Sequence, residues 1–250
     1  MVNNPLFSII TVTLDNLDGL KKTRESLEVQ TCDAYEHVII DGASNDGTPE
    51  YLKILDATSI SENDLGIYDA MNKGIEASTG DYLIFMNAGD RFADAKTLAL
   101  IKHYIDMLQA TFLYGMSFEY LNGKRHLKRS AHYTKVDNGM FTHHQAMIYS
   151  RKLIGNKRYD LSFSIAADYD FTLDIVKRSE NVAVLAKPIC IFESDGISQR
   201  NALEGRIQQF EIRRKHHFSL GKCVVIFIIQ SASHALRKIA PSFYWRLKQF

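Results

Sequence analysis

The chain has 250 residues, of which 46% are hydrophobic and 24% charged, and its formal net charge is +1. This length allows one α/β domain with appendages or two small domains, and the balanced charge argues against nucleic-acid binding. Cys32, Cys190 and Cys223 stand far apart with no C-x-x-C pair, which disfavours structural zinc and a disulfide framework. No signal-type apolar segment follows a basic N-terminus, so we expect a cytoplasmic protein.

The first 90 residues alternate between strand-like and helix-like segments. β-branched and apolar residues predict strands at Phe7–Thr13, Tyr35–Ile40 and Tyr82–Met86. Between these strands, Leu20–Val29 has the pattern of a solvent-facing helix, and Ile67–Ala77 carries apolar residues one helical turn apart. This order predicts βαβ units and a mainly parallel sheet, and hence an α/β fold.

The same alternation continues into the second half of the chain. The pattern predicts a helix over about Ala95–Gln109 and a strand at Thr111–Met116. A polar loop then enters a strand over His143–Tyr149, a helix runs from Ala166 to about Lys177, and a strand-like segment covers Val182–Phe192.

Acidic residues follow two of the predicted strands. The stretch Asp41–Thr48, D-G-A-S-N-D-G-T, follows the second strand, and Asp90 follows the third. Because open α/β sheets bind ligands at the carboxyl ends of their strands, this edge is a candidate nucleotide site, where a carboxylate can hold a hydrated divalent cation against phosphates. The alternative for Asp41–Thr48 is a tight turn followed by a helix cap. The sequence has neither G-x-G-x-x-G nor G-x-x-x-x-G-K-[ST], which disfavours a dinucleotide fold and a P-loop ATPase.

Four motifs together resemble family 2 glycosyltransferases of the GT-A fold. They are T-V-T-L-D-N at Thr11–Asn16, D-G-A-S-N-D-G-T at Asp41–Thr48, D-L-G-I-Y-D-A-M-N-K-G-I at Asp64–Ile75, and G-D-Y-L-I-F-M-N-A-G-D at Gly80–Asp90. Their order and spacing match the family over roughly the first 200 residues. Within the family, the chain is similar to bacterial enzymes that build exopolysaccharide or lipid-linked repeat units. The resemblance implies a GT-A domain with a mainly parallel central sheet flanked by helices.

The resemblance also implies a nucleotide-sugar donor, most readily a uridine diphosphate sugar, and a divalent metal. The donor-binding positions it implies are Thr13, Asp41, Ser44, Asp46, Asp64 and Lys73. The family's metal motif D-x-D-D reads Asn87-Ala88-Gly89-Asp90 here. Asp90 is therefore the expected ligand for Mg²⁺ or Mn²⁺, since one or two carboxylates with substrate phosphates can hold Mg²⁺.

The catalytic base that the resemblance implies is Asp168, in Ala167-Asp168-Tyr169-Asp170, where the family has an E-D-x-D-like motif. An inverting transfer needs one carboxylate to take the proton of the acceptor hydroxyl. Asp170 is the fallback. The alternative is that both carboxylates only favour the positive end of a helix dipole.

The segment His143-His144-Gln145 precedes Asp168 by about 25 residues and is assigned to acceptor or diphosphate contacts. The alternative is an ordinary surface loop. The Q-x-x-R-W motif of the family's processive synthases is absent, which favours addition of a single sugar over polymerisation.

The last 48 residues are basic, with nine Lys and Arg and two Glu, a net charge of +7. Cys223–Ile229 is strongly apolar but far shorter than the roughly 20 residues that a spanning helix needs. We therefore expect a GT-A domain over residues 1–202 and a basic amphipathic segment over 203–250 that contacts an anionic membrane surface. The alternative is a core-packing helix with a loose basic end.

These observations predict an inverting glycosyltransferase that adds one sugar to a hydroxyl of a lipid-linked saccharide, for example one on polyprenyl diphosphate. Two other functions stay open. A nucleotidyltransferase also uses a nucleotide-binding α/β domain, but it usually carries a glycine-rich basic loop where Leu14–Gly19 is acidic. A non-catalytic nucleotide-sugar-binding protein would agree with the reduced metal motif.

Overall fold

The computed structural model describes residues 4–121, 124–193 and 201–240. Within these ranges nine strands join into one sheet, in the order β3-β2-β1-β4-β8-β6-β9-β5, with β7 beside β6. The strands are β1 (Phe7–Thr13), β2 (Tyr35–Asp41), β3 (Thr58–Ser61), β4 (Tyr82–Phe85), β5 (Arg91–Phe92), β6 (Phe112–Leu121), β7 (Lys124–Lys128), β8 (Met147–Ser150) and β9 (Val182–Glu193).

Helices cover both faces of this sheet. They are α1 (Leu17–Glu28), α2 (Thr48–Leu52), α3 (Ile67–Ala77), α4 (Thr97–Leu108), α5 (Arg151–Ile154), α6 (Ala167–Arg178), α7 (Ala202–Lys215) and α8 (Leu220–Ile239). Two short 3₁₀ helices, Tyr133–Asn138 and His144–Ala146, lie between β7 and β8. The second of them occupies the segment that precedes β8, where the sequence predicted only a polar loop.

The first half of the sheet is parallel. All seven residues of β1 are buried, and β1 pairs in parallel with both β2 and β4. The register sets Thr13 opposite Asp41, so the carboxyl ends of β1 and β2 lie level with each other. The other half is mixed, because β8 runs antiparallel to β4 and β6 while β9 runs parallel to β6. The predicted α/β fold is confirmed, and its parallel part comprises β1 to β4.

Two apolar clusters fill the space between the sheet and its helices. Ile10 and Val12 of β1 face a cluster that includes residues of α3 and α6, whereas Phe7 and Ile9 face a cluster that includes residues of α4. This alternation along one strand follows the two-residue period of side chains in a β-strand. The sheet is therefore a central layer that fixes the positions of the loops at its edges.

The two C-terminal helices pack against the domain. Arg213 of α7 is fully buried; its Nε donates to the Asp137 carbonyl at 2.8 Å, and its guanidinium lies 5.2 Å from the centre of the Tyr169 ring. On α8, Cys223 and Ile226 are buried. The end of the predicted membrane-contacting segment, 241–250, lies outside the described residues.

Candidate functional site

The predicted donor residues at the ends of β1 and β2 lie next to each other. Asp41 is fully buried; it accepts hydrogen bonds from the backbone N–H of Ser44 and from the hydroxyls of Ser44 and Ser61. Beside it, Thr13 is 6% exposed, and its Oγ1 has no hydrogen-bond partner among the described residues. A buried hydroxyl without a partner is a costly arrangement that a bound ligand can relieve.

Asp46 and Ser44 tie the loop after β2 to the loop after β1. Asp46 Oδ2 accepts from the N–H of Leu17 at 2.7 Å, and its Oδ1 accepts from the Thr48 hydroxyl at 2.6 Å. The hydrogen bond from Thr48 lowers the pKa of Asp46. Ser44 Oγ accepts from the N–H of Asp15 at 2.7 Å. The contacts expected of a tight turn followed by a helix cap are therefore present. They also fix the loop after β2 relative to the loop after β1.

Asp64 lies against the loop after β2, whereas Lys73 interacts with residues just before α3. A Cβ on Gly42 would come within 2.7 Å of Asp64 Oδ2, so the absence of a side chain at Gly42 lets the carboxylate lie against the loop after β2. Lys73 Nζ donates to the Asn63 carbonyl at 2.8 Å and pairs with Glu62 at 2.7 Å. The hydrogen bond to Glu62 raises the pKa of Lys73.

Asp90 lies after β4 and contacts both the 3₁₀ helix before β8 and the end of β9. It follows a turn in which Gly89 has a φ of +105°, a conformation that favours glycine. Its Oδ2 accepts from Gln145 Nε2 at 2.7 Å, and its Oδ1 accepts from the N–H of Glu193 at 3.0 Å. The side chain is 3% exposed, and this burial raises the pKa of Asp90 to about 7.

The oxygens around this turn suit a hard divalent cation. Asn87 Oδ1 is buried and has no hydrogen-bond partner among the described residues, and the Asp90 carboxylate is three positions away. Carboxylate and amide oxygens are the ligands that Mg²⁺ and related ions take. In the part of the chain that the structure describes, no three His, Cys, Asp or Glu side chains come together as a metal site. A metal here would therefore need oxygens from the donor diphosphate as well.

Asp168 lies at the start of α6 with its side chain 22% exposed. Its Oδ1 is 3.3 Å from the Tyr68 hydroxyl, and its Oδ2 is 3.8 Å from His144 Nδ1. Burial raises the pKa of Asp168 to about 6 and lowers the pKa of His144 to about 4. At neutral pH the pair is a carboxylate beside a neutral imidazole, and a carboxylate with a pKa near the working pH is a suitable general base.

The turn before Asp168 is held by residues that the sequence analysis did not single out. Gln208 of α7 is 7% exposed, and its Oε1 accepts from the N–H groups of Ile165 and Ala166 at 2.9 and 3.0 Å. From the other side, the Tyr68 hydroxyl donates to the Ile165 carbonyl at 2.7 Å. Tyr68 belongs to a motif that the resemblance used, but nothing in the sequence marks Gln208 as a partner of residues some 40 positions earlier.

The His143-His144-Gln145 segment spans the distance between the two carboxylates. Gln145 contacts Asp90 and His144 contacts Asp168, as described above. His143 stacks on Phe192 with ring centres 4.2 Å apart, and its Nδ1 lies 2.9 Å from Ser117 Oγ. Burial lowers the pKa of His143 well below its usual range. Three consecutive residues thus connect the corner after β4 to the start of α6.

Asp170 is not part of this group. It is fully buried and lies 2.9 Å from both Lys157 Nζ and His216 Nε2, with Lys215 Nζ at 3.3 Å. Burial alone would raise the pKa of Asp170, but the hydrogen bonds from His216 and Lys157 lower it well below the usual range. The structure therefore places Asp170 between α6 and the C-terminal helices, away from Asp168.

Residues 8–167 match the family model described as glycosyl transferase family 2. The chain belongs to this family. A relative from Mycobacterium bovis, named as a PGL/p-HBAD biosynthesis glycosyltransferase, is 33% identical over 193 residues, which is 68% of this chain and 69% of that protein. Family membership makes the chain a glycosyltransferase and disfavours both alternative functions, nucleotidyl transfer and nucleotide-sugar binding without catalysis.

Solved structures with the same fold carry nucleotide sugars. Staphylococcus aureus TarS in complex with UDP-GlcNAc is similar with a TM-score of 0.66 and 18% identity, over 83% of this chain and 64% of that one; against a longer TarS chain the coverage is 39% of its length. The mannosyltransferase PcManGT from Pyrobaculum calidifontis, in complex with GDP-Man and Mn²⁺, has a TM-score of 0.66 and 15% identity, over 99% of this chain and 74% of that one. These similarities confirm the GT-A fold.

The lengths and sequences of the helices bear on whether one of them could cross a membrane. Across residues 4–121, 124–193 and 201–240, no helix combines the length and the apolar character needed to cross a membrane.

Proposed function

We propose that this glycosyltransferase moves one sugar from a nucleotide-sugar, most readily a UDP-sugar, to a hydroxyl of a lipid-linked saccharide, with inversion at the anomeric carbon. The observation that carries the proposal is Asp168. This carboxylate is partly exposed, has a pKa raised to about 6, and lies beside a neutral His144 at the start of α6.

In the proposed reaction, the acceptor oxygen attacks the anomeric carbon and its proton goes to Asp168. The bond from that carbon to the diphosphate oxygen breaks, and the nucleoside diphosphate leaves with the electron pair. One carboxylate acting as base, without a covalent sugar intermediate, gives inversion. His144 contacts Asp168 and lies on the path from the base to the donor corner, so it would orient the acceptor hydroxyl.

The donor would lie over the loops after β1 and β2. Thr13 has the buried hydroxyl without a partner, and Asp41, Ser44 and Asp46 fix the loops around it. Asp64 and Lys73 would line the outer wall of the same pocket. The complex of TarS with UDP-GlcNAc supports a uridine donor, and that of PcManGT with GDP-Man shows that this fold also accepts a guanosine donor.

Asp90, with the amide oxygen of Asn87, would hold a Mg²⁺ or Mn²⁺ ion at the corner after β4. Such an ion supplies positive charge that offsets the charge developing on a leaving diphosphate. The role of the chain there is to present these oxygens, with Gln145 and the N–H of Glu193 fixing the orientation of the Asp90 carboxylate. The Mn²⁺ in PcManGT supports this assignment.

The decisive experiment is transfer from UDP-sugars to a lipid-linked acceptor by the wild type and by Asp168→Asn. Loss of a general base costs about 10²–10⁴-fold in rate, so we expect kcat to fall by that factor while donor binding changes less than twofold. The control is Asp174→Asn, a change on the same helix that removes only the pairing with Arg178. Equal activity of the two variants would contradict the role of Asp168.

We also propose that α7 and α8 place the enzyme on the cytoplasmic face of a membrane. Their exposed large apolar side chains are Leu203 and Ile207 on α7 and Leu220, Val224, Val225, Ile228, Ile229 and Ile239 on α8. The two helices also carry seven Lys and Arg against two Glu, and apolar area combined with cationic charge is the pattern of an interfacial helix.

Flotation with anionic liposomes tests membrane contact directly. We expect the wild type to float and the double variant Val225→Lys/Ile228→Lys, which places charge in the apolar face, to stay in solution. The matched control is Leu108→Lys/Met107→Lys, which alters exposed apolar residues on α4. Equal recovery of wild type and the α8 variant would contradict membrane contact through α8.

A further inference from the structure

A cavity of about 420 Å³ lies between the 3₁₀ helix Tyr133–Asn138 and the pair α7 and α8. Its cationic or potentially cationic lining residues are Lys135, Arg206, His234 and Arg237. Among the described residues that line it, none is Asp or Glu. A concave site with several basic groups and no carboxylate favours an anionic ligand.

Arg206 gives the strongest indication of what this cavity binds. Its Nε is buried and has no hydrogen-bond partner among the described residues. A guanidinium N–H left without an acceptor is unfavourable, and phosphate oxygens are its best partners because the planar fork matches their geometry. Burial lowers the pKa of His234, and the neighbouring charge of Arg206 lowers it further, so this histidine adds little positive charge at neutral pH.

The cavity is also apolar on one side. Ile229 lines it and is 62% exposed, and it continues the exposed apolar face of α8, to which Val225 and Ile228 belong. An anionic head group with a hydrocarbon chain would place the head against Arg206 and the chain along this face. Free phosphate would use only the first of these two surfaces.

Arg237 connects the cavity to the acceptor side of the active site. Its guanidinium forms an ion pair with Glu119, and Glu119 is paired with Phe192 in the β6–β9 register. Phe192 stacks on His143, and the charge of Arg237 contributes to the lowered pKa of His143. A series of contacts through Arg237, Glu119 and Phe192 thus links the cavity to the segment that contains His144.

We propose that this cavity binds the diphosphate of a polyprenyl-diphosphate-linked acceptor, with Arg206 and Lys135 on the phosphates and the apolar face of α8 along the lipid chain. The inference rests on the proposed function, since it assumes that the acceptor is lipid-linked. It adds the place where the carrier is recognised, separate from the nucleotide pocket at the ends of β1 and β2.

Calorimetric titration of the full chain with farnesyl diphosphate tests this, with saturating UDP present to block the donor pocket. We expect wild type to bind farnesyl diphosphate, to bind inorganic pyrophosphate at least tenfold more weakly, and not to bind farnesol. Arg206→Gln should weaken farnesyl diphosphate binding at least tenfold. Lys152→Gln, which removes one positive charge from an exposed position on α5 outside the cavity, should change it less than twofold.

Equal affinity of the two variants, or equal affinity of wild type for pyrophosphate and farnesyl diphosphate, would overturn the assignment. If Arg206→Gln melts at a lower temperature than wild type, Lys135→Gln replaces it, because Lys135 is exposed. Titration with UDP-GlcNAc separates the two proposals. Donor binding and transfer without farnesyl diphosphate binding would contradict only the assignment of the cavity. Farnesyl diphosphate binding without any transfer would contradict the proposed function.

Discussion

The loops after β1 and β2, over which the nucleotide would lie, are tied to each other within one βαβ unit, whereas the base side is assembled from elements far apart along the chain. Ser44 and Asp46 join the loop after β2 to the loop after β1. By contrast, the turn that sets Asp168 is held by Tyr68 of α3 and Gln208 of α7. The difference implies that the nucleotide pocket can form from the N-terminal part of the sheet, while the base depends on how the C-terminal helices dock.

Removal of Asp170, which ties α6 to the C-terminal helices, should have the largest effect on the stability of the base side. Its carboxylate links α6 to Lys157, Lys215 and His216, and loss of one partner in a buried ion cluster costs about 3–5 kcal/mol. We expect Asp170→Asn to lower the free energy of unfolding by a large part of that amount, measured by denaturant titration, with transfer per folded molecule within about threefold of wild type. A stable variant with no activity would instead make Asp170 a catalytic group.

The pH dependence of that stability has a definite sign. Because the folded-state pKa of Asp170 is lowered, its contribution is present above the pKa of the unfolded state, about 4, and is lost as pH falls below it. The difference in the free energy of unfolding between wild type and Asp170→Asn should therefore become smaller as the pH falls below about 4. A difference that stays constant from pH 7 to pH 3 would contradict the ion-cluster assignment.

Asp168 predicts a second pH effect, in activity rather than in stability, and it also appears as a loss when the pH falls. Its folded pKa is raised to about 6, and only the ionised carboxylate accepts a proton. We expect kcat to rise with pH to a plateau above about pH 7 and to fall about tenfold per pH unit below about pH 6. A profile measured with saturating donor and acceptor checks this; His144, with a pKa lowered to about 4, should add no limb above pH 5. A flat profile between pH 5 and 8 would contradict the assignment of Asp168 as base.

The sequence predicted the elements of the N-terminal half of the sheet better than those that depend on distant contacts. The strands β1, β2 and β4 and the helix α3 were predicted almost to the residue, since buried parallel strands and an amphipathic helix leave strong local patterns. β7, at Lys124–Lys128, was missed because its sequence K-R-H-L-K has consecutive basic residues and no apolar–polar alternation, as in an exposed loop. Its strand conformation comes from pairing with β6, which tertiary contacts determine.

The site shows the same limit. Motifs placed Asp41, Asp64 and Asp90 near one edge of the sheet, and the structure brings them to that edge. The motif around Asp168 could not distinguish it from Asp170, because both lie in the first turn of the same helix. Only the three-dimensional positions of Lys157 and His216 show that Asp170 is already neutralised. No local pattern could identify Gln208, since its partners Ile165 and Ala166 offer only backbone N–H groups.

Two variants, one on the base side and one on the donor side, test whether the two sides act separately. Gln208→Leu keeps the approximate size of the side chain but removes the acceptor for two buried N–H groups, which costs about 1–3 kcal/mol. We expect the turn before α6 to relax, so that kcat falls about tenfold and the acidic limb of its pH profile shifts, while donor affinity stays within twofold. Asp46→Ala removes the contacts to Leu17 and Thr48, for a cost of about 1 kcal/mol, and should weaken donor binding about fivefold with an unchanged pH profile.

Kinetics and donor titration on the two proteins decide whether the sides are separate. Gln208→Glu combined with Glu204→Gln restores an oxygen acceptor for Ile165 and Ala166 without placing two carboxylates side by side, and it should recover part of the lost kcat, which a loss of overall packing would not allow. Glu211→Ala, at an exposed position on the same helix, should leave both parameters unchanged. If Gln208→Leu weakened the donor as much as it lowered kcat, or if Asp46→Ala moved the pH profile, the two sides would form one coupled unit. Base placement would then not depend on the docking of α7 alone.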